Sequence, residues 1–353
     1  MDFQLSRRLS ESPSLPRRRG GSTCCRLPPM RIVIPGGSGQ VGQVLARHFH
    51  SQGHDVTVFP RKPAPAPWRT VVWDGITGGA WEDSLEGCDA CINLAGRSVN
   101  CRYNVTNRAD ILNSRVDSTR ILGKVIASLA HPPAVWMNAS TATIYRHALP
   151  GDPPNDEVTG VLGGNEPGAP DTWNFSIDVA RAWEAAFAET PTPRTRIVAL
   201  RSAMTFSPDR GGVFDVFLSL VRRGLGGTVG PGTQFVSWIH DADFIRAVEF
   251  LIVHDELSGP VNLASPNPLP NREFQRALRE AWGTRIGLPT ASWMVEIGTF
   301  FMRTESELVL KSRRVVPTRL LQSGFTFLHP TWPEAARDLV DRWRGDRLPE
   351  KAR

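Results

Sequence analysis

Apolar positions along this chain follow two rhythms, a two-residue strand rhythm and a helical one, and the two alternate. Ile32, Val33 and Ile34 form a short apolar run that meets a burst of glycine. Beyond it Val41, Val44, Leu45 and Phe49 recur on one helical face, with no proline before Gly53. That order reads as strand, tight turn and helix. A second strand is expected over 54–59, where Val56 and Val58 alternate, and a third over 70–73 after a loop rich in Pro and Ala. Further strands are expected over 90–94, 134–139 and 196–201. They are separated by helices over 105–130 and 172–189, the latter with Trp183, Ala186 and Phe187 as core candidates. A strand-helix alternation of this kind implies an α/β fold with a doubly wound parallel sheet. The Gly-, Pro- and Asp-rich loop over 147–171 exceeds a plain connection and is a functional candidate.

The rhythm changes after about residue 202. Gly211, Gly212, Gly224, Gly226, Gly227, Gly230 and Gly232 punctuate the next stretch. A short strand and an amphipathic helix are expected within 235–254, and helices over 271–282, 291–303 and 332–344. The expected organisation is a tail (1–29), a nucleotide-binding domain (30–202, with some later elements packing back on it), a smaller C-terminal substrate lobe (203–345) and a short end (346–353). Ligands of such sheets sit beyond the carboxyl ends of the strands, so Gly36–Gly42, Ala95-Gly96 and 140–145 should converge on one crevice.

The glycine turn carries the first chemistry. Its glycines fit two registers, Gly36/Gly39/Gly42 and Gly37/Gly39/Gly42. Either lets a backbone made of Gly36, Gly37, Ser38, Gly39, Gln40, Val41 and Gly42 approach a pyrophosphate at a helix N-terminus. The second strand ends Phe59-Pro60-Arg61-Lys62, without the acid that accepts from a ribose 2′-hydroxyl in NAD sites. Arg61 and Lys62 stand where a 2′-phosphate would lie, and a guanidinium grips phosphate in a bidentate manner. The cofactor expected is therefore NADP(H). Asp74, after the third strand, is the candidate acceptor for the adenine amino group.

Composition narrows the setting. The chain has 353 residues and a formal net charge of +6. Residues 1–29 hold +4 of it and the remainder only +2, so the basic balance is a tail effect and nucleic acid is not an expected partner. No stretch of 18 apolar residues exists, so no membrane span is expected. The Arg- and Ser-rich tail lacks a secretory core; it is expected to be disordered and reads either as an organellar transit segment or as residues ahead of the true start at Met30. Cys24, Cys25, Cys88, Cys91 and Cys101 form no metal-ligand pattern. Reduced thiols in a cytoplasmic setting are expected, with no metal.

With these pieces placed, the chain resembles the extended short-chain dehydrogenase/reductase superfamily, within it an atypical epimerase-like branch with a C-terminal segment of unknown function. The resemblance rests on the glycine turn, Asn93-Leu94-Ala95-Gly96, Ser114-Arg115-Val116 with Thr119, and Trp183-Glu184. It continues through Gly224-Leu225-Gly226-Gly227, Gln234, Ser237-Trp238-Ile239-His240, Asp243, Gly259-Pro260-Val261-Asn262-Leu263, Val316-Pro317 and Gly324-Phe325. It implies a Rossmann-type sheet, a small-molecule substrate and a homodimer as candidate assembly.

The superfamily's chemistry uses a Ser or Thr, a Tyr and a Lys. The resemblance puts the first at Thr141, beside the cofactor-side Ser140, and would put the Tyr at Ser176 and the Lys at Ala180, neither of which can do that work. Two tyrosines exist in all, Tyr103 and Tyr145. Tyr145 is the candidate acid, against a structural role below the nicotinamide, and Tyr103 could reach in from the loop after the fourth strand. Arg115 is a candidate either to lower a nearby Tyr pKa or to clamp an anionic substrate. Arg201, Gln234 and Trp238 are candidate substrate contacts, with a salt bridge competing for Arg201 and the core for Trp238. His240 reads as a cap or packing residue rather than a base, and Asp243 as the cap of its helix. Two functions follow: an NADP(H)-binding oxidoreductase or epimerase-like enzyme, or a nucleotide-bound sensor without turnover.

Overall fold

The computed structural model describes residues 28–149, 151–164, 166, 169–289 and 307–345. The expected helix over 291–303, Cys24 and Cys25, most of the N-terminal tail and the short C-terminal end lie outside the described residues. Seven parallel strands form the main sheet: β1 (Arg31–Pro35), β2 (Asp55–Phe59), β3 (Arg69–Thr70), β4 (Ala90–Asn93), β5 (Val135–Thr141), β6 (Arg196–Ser202) and β10 (Gly259–Leu263). Their order is β10-β6-β5-β4-β1-β2-β3. The chain runs outward from β1 to β3, then returns to the other side of β1 as β4. The switch between β1 and β4 opens a crevice at their carboxyl ends, which is where ligands of such sheets bind.

Strand alternation decides what each face buries. Ile32 and Ile34 of β1 point into one core with Val56, Val58, Ala90, Ile92, Val135 and Met137. Helix α1 (Gln40–Ser51) covers that face through Leu45, Ala46 and Phe49, and helix α5 (Asp241–Val253) through Phe244, Ala247, Val248 and Leu251. Val33, Cys91, Trp136 and Ala199 point the other way, against Leu122, Val125 and Ile126 of α2 (Val105–Ser128) and Phe187 of α3 (Asp171–Glu189). A one-residue slip of any strand would exchange these two sets, so burial on both faces fixes the register. Cys88 and Cys91 are buried free thiols, and burial pushes Cys88 up to about 12.

The smaller lobe has its own core. Short strands β7 (Met204–Phe206) and β9 (Trp238–His240) pair in parallel, and β8 (Phe235–Val236) pairs antiparallel with β11 (Leu269–Pro270). Phe214 and Leu218 of α4 (Val213–Arg222), Phe274 and Leu278 of α6 (Asn271–Trp282), and Trp332, Leu339 and Trp343 of the helix Trp332–Gly345 enclose Phe206 and Trp238. Two elements from beyond residue 202, α5 and β10, pack back on the first domain.

Two local expectations are corrected. The third strand is two residues long; the Val71 and Trp73 amides still donate to Val58 and Pro60 carbonyls, but the path leaves ladder geometry. Asp243 does not cap α5. His240 does, its Nδ1 accepting from the Ala242 amide at 3.1 Å, while Asp243 accepts from the Leu328 and His329 amides and ties down a distant turn. Among the described residues no helix is long and apolar enough to cross a membrane.

Candidate active site

The glycine turn is built by steric demand. Gly36 has φ +73°, and a Cβ there would stand 2.6 Å from the Ala95 backbone, so β1 and the turn after β4 approach as only glycine allows. A Cβ on Gly42 would come within 2.4 Å of Gly37 Cα, which seats α1 hard against the turn. Gly39 is different: its Cβ would meet only the Gly36 carbonyl, at 3.6 Å. Gly39 is the N-cap of α1 without a side-chain cap, and the first turn of α1 holds no acid. The helix therefore presents free N–H groups and a positive end to the crevice. The Gln40 side-chain amide lies against Gly212, with its buried Nε2 lacking a hydrogen-bond partner among the described residues. A cradle with no room for a Cβ at Gly36 or Gly42, an uncapped helix start and an unpartnered buried donor fit a dinucleotide pyrophosphate. Arg61 and Lys62 follow β2 and are exposed. Asp74 is also exposed, but its carboxylate caps its own turn, accepting from the Ile76 and Thr77 amides and the Thr77 hydroxyl. These bonds, the hydroxyl's foremost, hold its pKa below the usual carboxylate value.

The turn after β4 is held from beneath. Asn93 donates to Asn138 Oδ1 at 2.6 Å and accepts from the Ala95 amide at 3.1 Å. Thr119 donates to Asn138 at 3.2 Å and accepts from Trp183 Nε1 at 3.0 Å. These contacts give Ala95 and the exposed Gly96 a fixed height above the sheet.

Next to this turn lies a cavity of about 300 Å³. Ser140 and Thr141 end β5 in its wall; Arg115 lines it from α2, and Ser176, Ala180 and Trp183 from α3. The Ser140 hydroxyl donates to Glu184 at 2.6 Å. Thr141 Oγ1 accepts from the Thr143 amide at 3.1 Å, capping the 3-10 turn Ala142–Ile144, and its own proton goes to no group among the described residues. Ser176, where the resemblance puts the superfamily's Tyr, joins it, as do two charged residues that sequence reasoning missed, Glu307 and Arg313. Tyr103, from the loop before α2, brings its hydroxyl to 3.5 Å from Ser176 Oγ, with its ring edge-on to Phe175. Ser176 in turn donates to Glu307. Glu307 is buried with Arg313 at 3.3 Å and Lys311 at 3.8 Å. Burial, with Arg313 alongside, pushes the Lys311 ammonium down to about 8. Only the composition of 307–313, two acid-base types within one helical turn, hinted at this contribution.

For Tyr145, Arg201 and Trp238 the competing structural reading holds, and Gln234 likewise leaves the candidate substrate contacts. Tyr145 is 1 % exposed and absent from the cavity wall. Its hydroxyl donates to Asn262 at 2.9 Å and accepts from Arg201 at 3.0 Å, and burial raises its pKa. Arg201 does not face substrate; it grips Glu184 through Nε and Nη2 at 2.8 and 2.7 Å. Burial opposes its charge, but the Glu184 carboxylate outweighs that and raises its pKa. Gln234 donates to the Val229 carbonyl inside the smaller lobe, and Trp238 packs 5.1 Å from Trp332 in that lobe's core. Arg201 and Tyr145 end as positioning groups under Ser140.

The model for the NAD dependent epimerase/dehydratase family matches residues 32–264, and one for a domain of unknown function (DUF1731) matches residues 290–339. The chain is 30% identical over 314 residues to the epimerase family protein SDR39U1 of Homo sapiens, covering 88% of this chain and 100% of that one. An epimerase family protein of Staphylococcus epidermidis is 28% identical over 311 residues, 88% of this chain and 99% of its own. Among solved structures, human SDR39U1 (isoform 2) with NADPH superposes with a TM-score of 0.77 at 30% identity, over 88% of this chain and 99% of that one. A nucleoside-diphosphate sugar epimerase from Corynebacterium glutamicum gives 0.68 at 26% identity, over 92% of this chain and 63% of that one.

Proposed function

Because this chain belongs to the NAD dependent epimerase/dehydratase family, we propose that it is an NADP(H)-dependent oxidoreductase or epimerase-like enzyme acting on a small molecule in the cavity beside the β1–β4 crevice. The observation that carries the reading is one chain of contacts: Gly36 has no room for a Cβ beside Ala95, the next residue Gly96 lies against Arg115, and Arg115 shares a cavity wall with Ser140 and Thr141. The NADPH in the human relative's structure supports the cofactor, and the absence of an acid after β2, with Arg61 and Lys62 in its place, supports the phosphorylated form.

When bound, the nicotinamide supplies or accepts the hydride. The chain's own residues hold and polarise the substrate. Thr141 has a hydroxyl proton uncommitted among the described residues and directs it at the substrate oxygen. Tyr103 is the phenol on the cavity wall, so it replaces Tyr145 as the proton donor. Glu184, gripped by Arg201, holds the Ser140 hydroxyl.

The test is NADPH oxidation, followed by its absorbance, against a panel of small aldehydes and ketones. Turnover that falls by about a hundredfold in Tyr103→Phe and Thr141→Val, yet survives in Tyr145→Phe, supports the enzyme. The second reading is a nucleotide-bound sensor, favoured by Ser176 and Ala180 at the cavity positions where the superfamily carries Tyr and Lys. Tight NADPH binding with no hydride transfer to any panel member supports it.

A further inference from the structure

The charged side chains on the cavity wall are Arg115, Glu307 and Arg313. Two of them answer each other: Arg313 and Glu307 lie 3.3 Å apart, and Lys311 shares the same carboxylate. Arg115 has no acidic partner among the described residues. Its Nη1 donates to the Arg97 and Ile111 carbonyls at 3.1 and 2.9 Å, which fixes the guanidinium plane. The same group lies 5.0 Å over the Trp183 ring and close beneath Gly96. Nε and Nη2 donate to nothing among the described residues. Burial pushes its pKa down to about 10, so it stays protonated at neutral pH.

A half-buried cation without an acidic partner, on the wall of a cavity and with donors to spare, is a binding element for an anion. The donors left over form one edge of a planar guanidinium, which matches the two oxygens of a carboxylate. Val99, Ile111, Phe175 and Trp183 supply the apolar part of the wall.

Resting on the oxidoreductase reading above, we propose that the cavity takes a small substrate bearing a carboxylate, and that Arg115 is the residue that binds it. The carboxylate anchors one end of the molecule on α2, while its reacting oxygen is left to Thr141 on β5.

The experiment is calorimetric titration of the NADPH-loaded full chain with succinate, oxamate and benzoate, with succinamide and benzamide as neutral counterparts and inorganic phosphate as a third arm. NADPH affinity is measured separately in each variant, so a failed cofactor reading is seen as such. The expected result is saturable binding of at least one carboxylate, with its amide weaker by about tenfold or more. Arg115→Gln loses that discrimination and Arg115→Lys regains part of it, while NADPH affinity is unchanged in both. Carboxylate and amide binding equally to the wild type, no carboxylate binding, or phosphate binding in preference would each overturn the assignment. The wild-type comparison stands even where Arg115→Gln fails to fold.

Discussion

Gly36 concentrates the account at the scale of one residue. Its φ of +73° is the left-handed region, and any Cβ would press on the Ala95 backbone at 2.6 Å. Gly36→Ala is therefore expected to lower the unfolding free energy by about 2 kcal/mol and to abolish NADPH binding. Gly39→Ala, whose Cβ would find only a carbonyl at 3.6 Å, should keep the fold. Denaturant titration of the two variants side by side checks this; equal destabilisation would contradict it. Steric demand of this sort is legible in sequence because only glycine satisfies it. For Tyr145 and Arg201 the sequence left a site role and a structural one both open. Whether a strand-end polar group faces a crevice depends on partners such as Glu184 and Asn262, which arrive from remote parts of the chain.

At the scale of elements, the central strands and α1 to α3 were readable because periodicity and burial agree on them. Trp136 and Met137 alternate faces as a two-sided strand requires. The segment following Glu307–Leu310 was not readable. It has no periodicity of its own and is held by bonds to other elements: the Ser312 carbonyl accepts from the Ala148 amide, and the Arg313 amide donates to the Phe235 carbonyl. Arg313 also donates to Thr143 Oγ1 and the Glu307 carboxylate. Removing that guanidinium leaves Glu307 buried with the more distant Lys311 as its one cation among the described residues. Arg313→Met should therefore cost about 3 kcal/mol. The Arg313→Met/Glu307→Leu double variant should recover most of the loss, since it removes the stranded charge as well. Urea denaturation of the set decides it, and a double variant no more stable than the single one would refute the buried-pair argument.

The whole molecule carries a pH dependence with a definite sign. His54, His147 and His240 each accept a backbone N–H through Nδ1, from Met30, Ser312 and Ala242. Burial is the leading cause that lowers all three from 6.5. Above pH 6.5 they are neutral in both states and their contribution is complete. Below it the unfolded chain takes up protons first, so stability falls. Glu157, raised by burial, works in the opposite sense but below the histidine window, nearer its ordinary 4.5. The urea midpoint is expected to drop between about pH 7.5 and about pH 5.5; a flat profile would contradict the Nδ1 bonds.

The same scale holds the central claim, that the β1–β4 crevice binds NADP(H) with the 2′-phosphate read by Arg61. The direct measurement is calorimetric titration of the full chain and of Arg61→Ala with NADPH and with NADH. The account predicts NADPH bound more tightly than NADH by about tenfold or more, with the preference collapsing in Arg61→Ala while NADH affinity stays put. NADH bound as tightly as NADPH, or a preference untouched by the substitution, would contradict it.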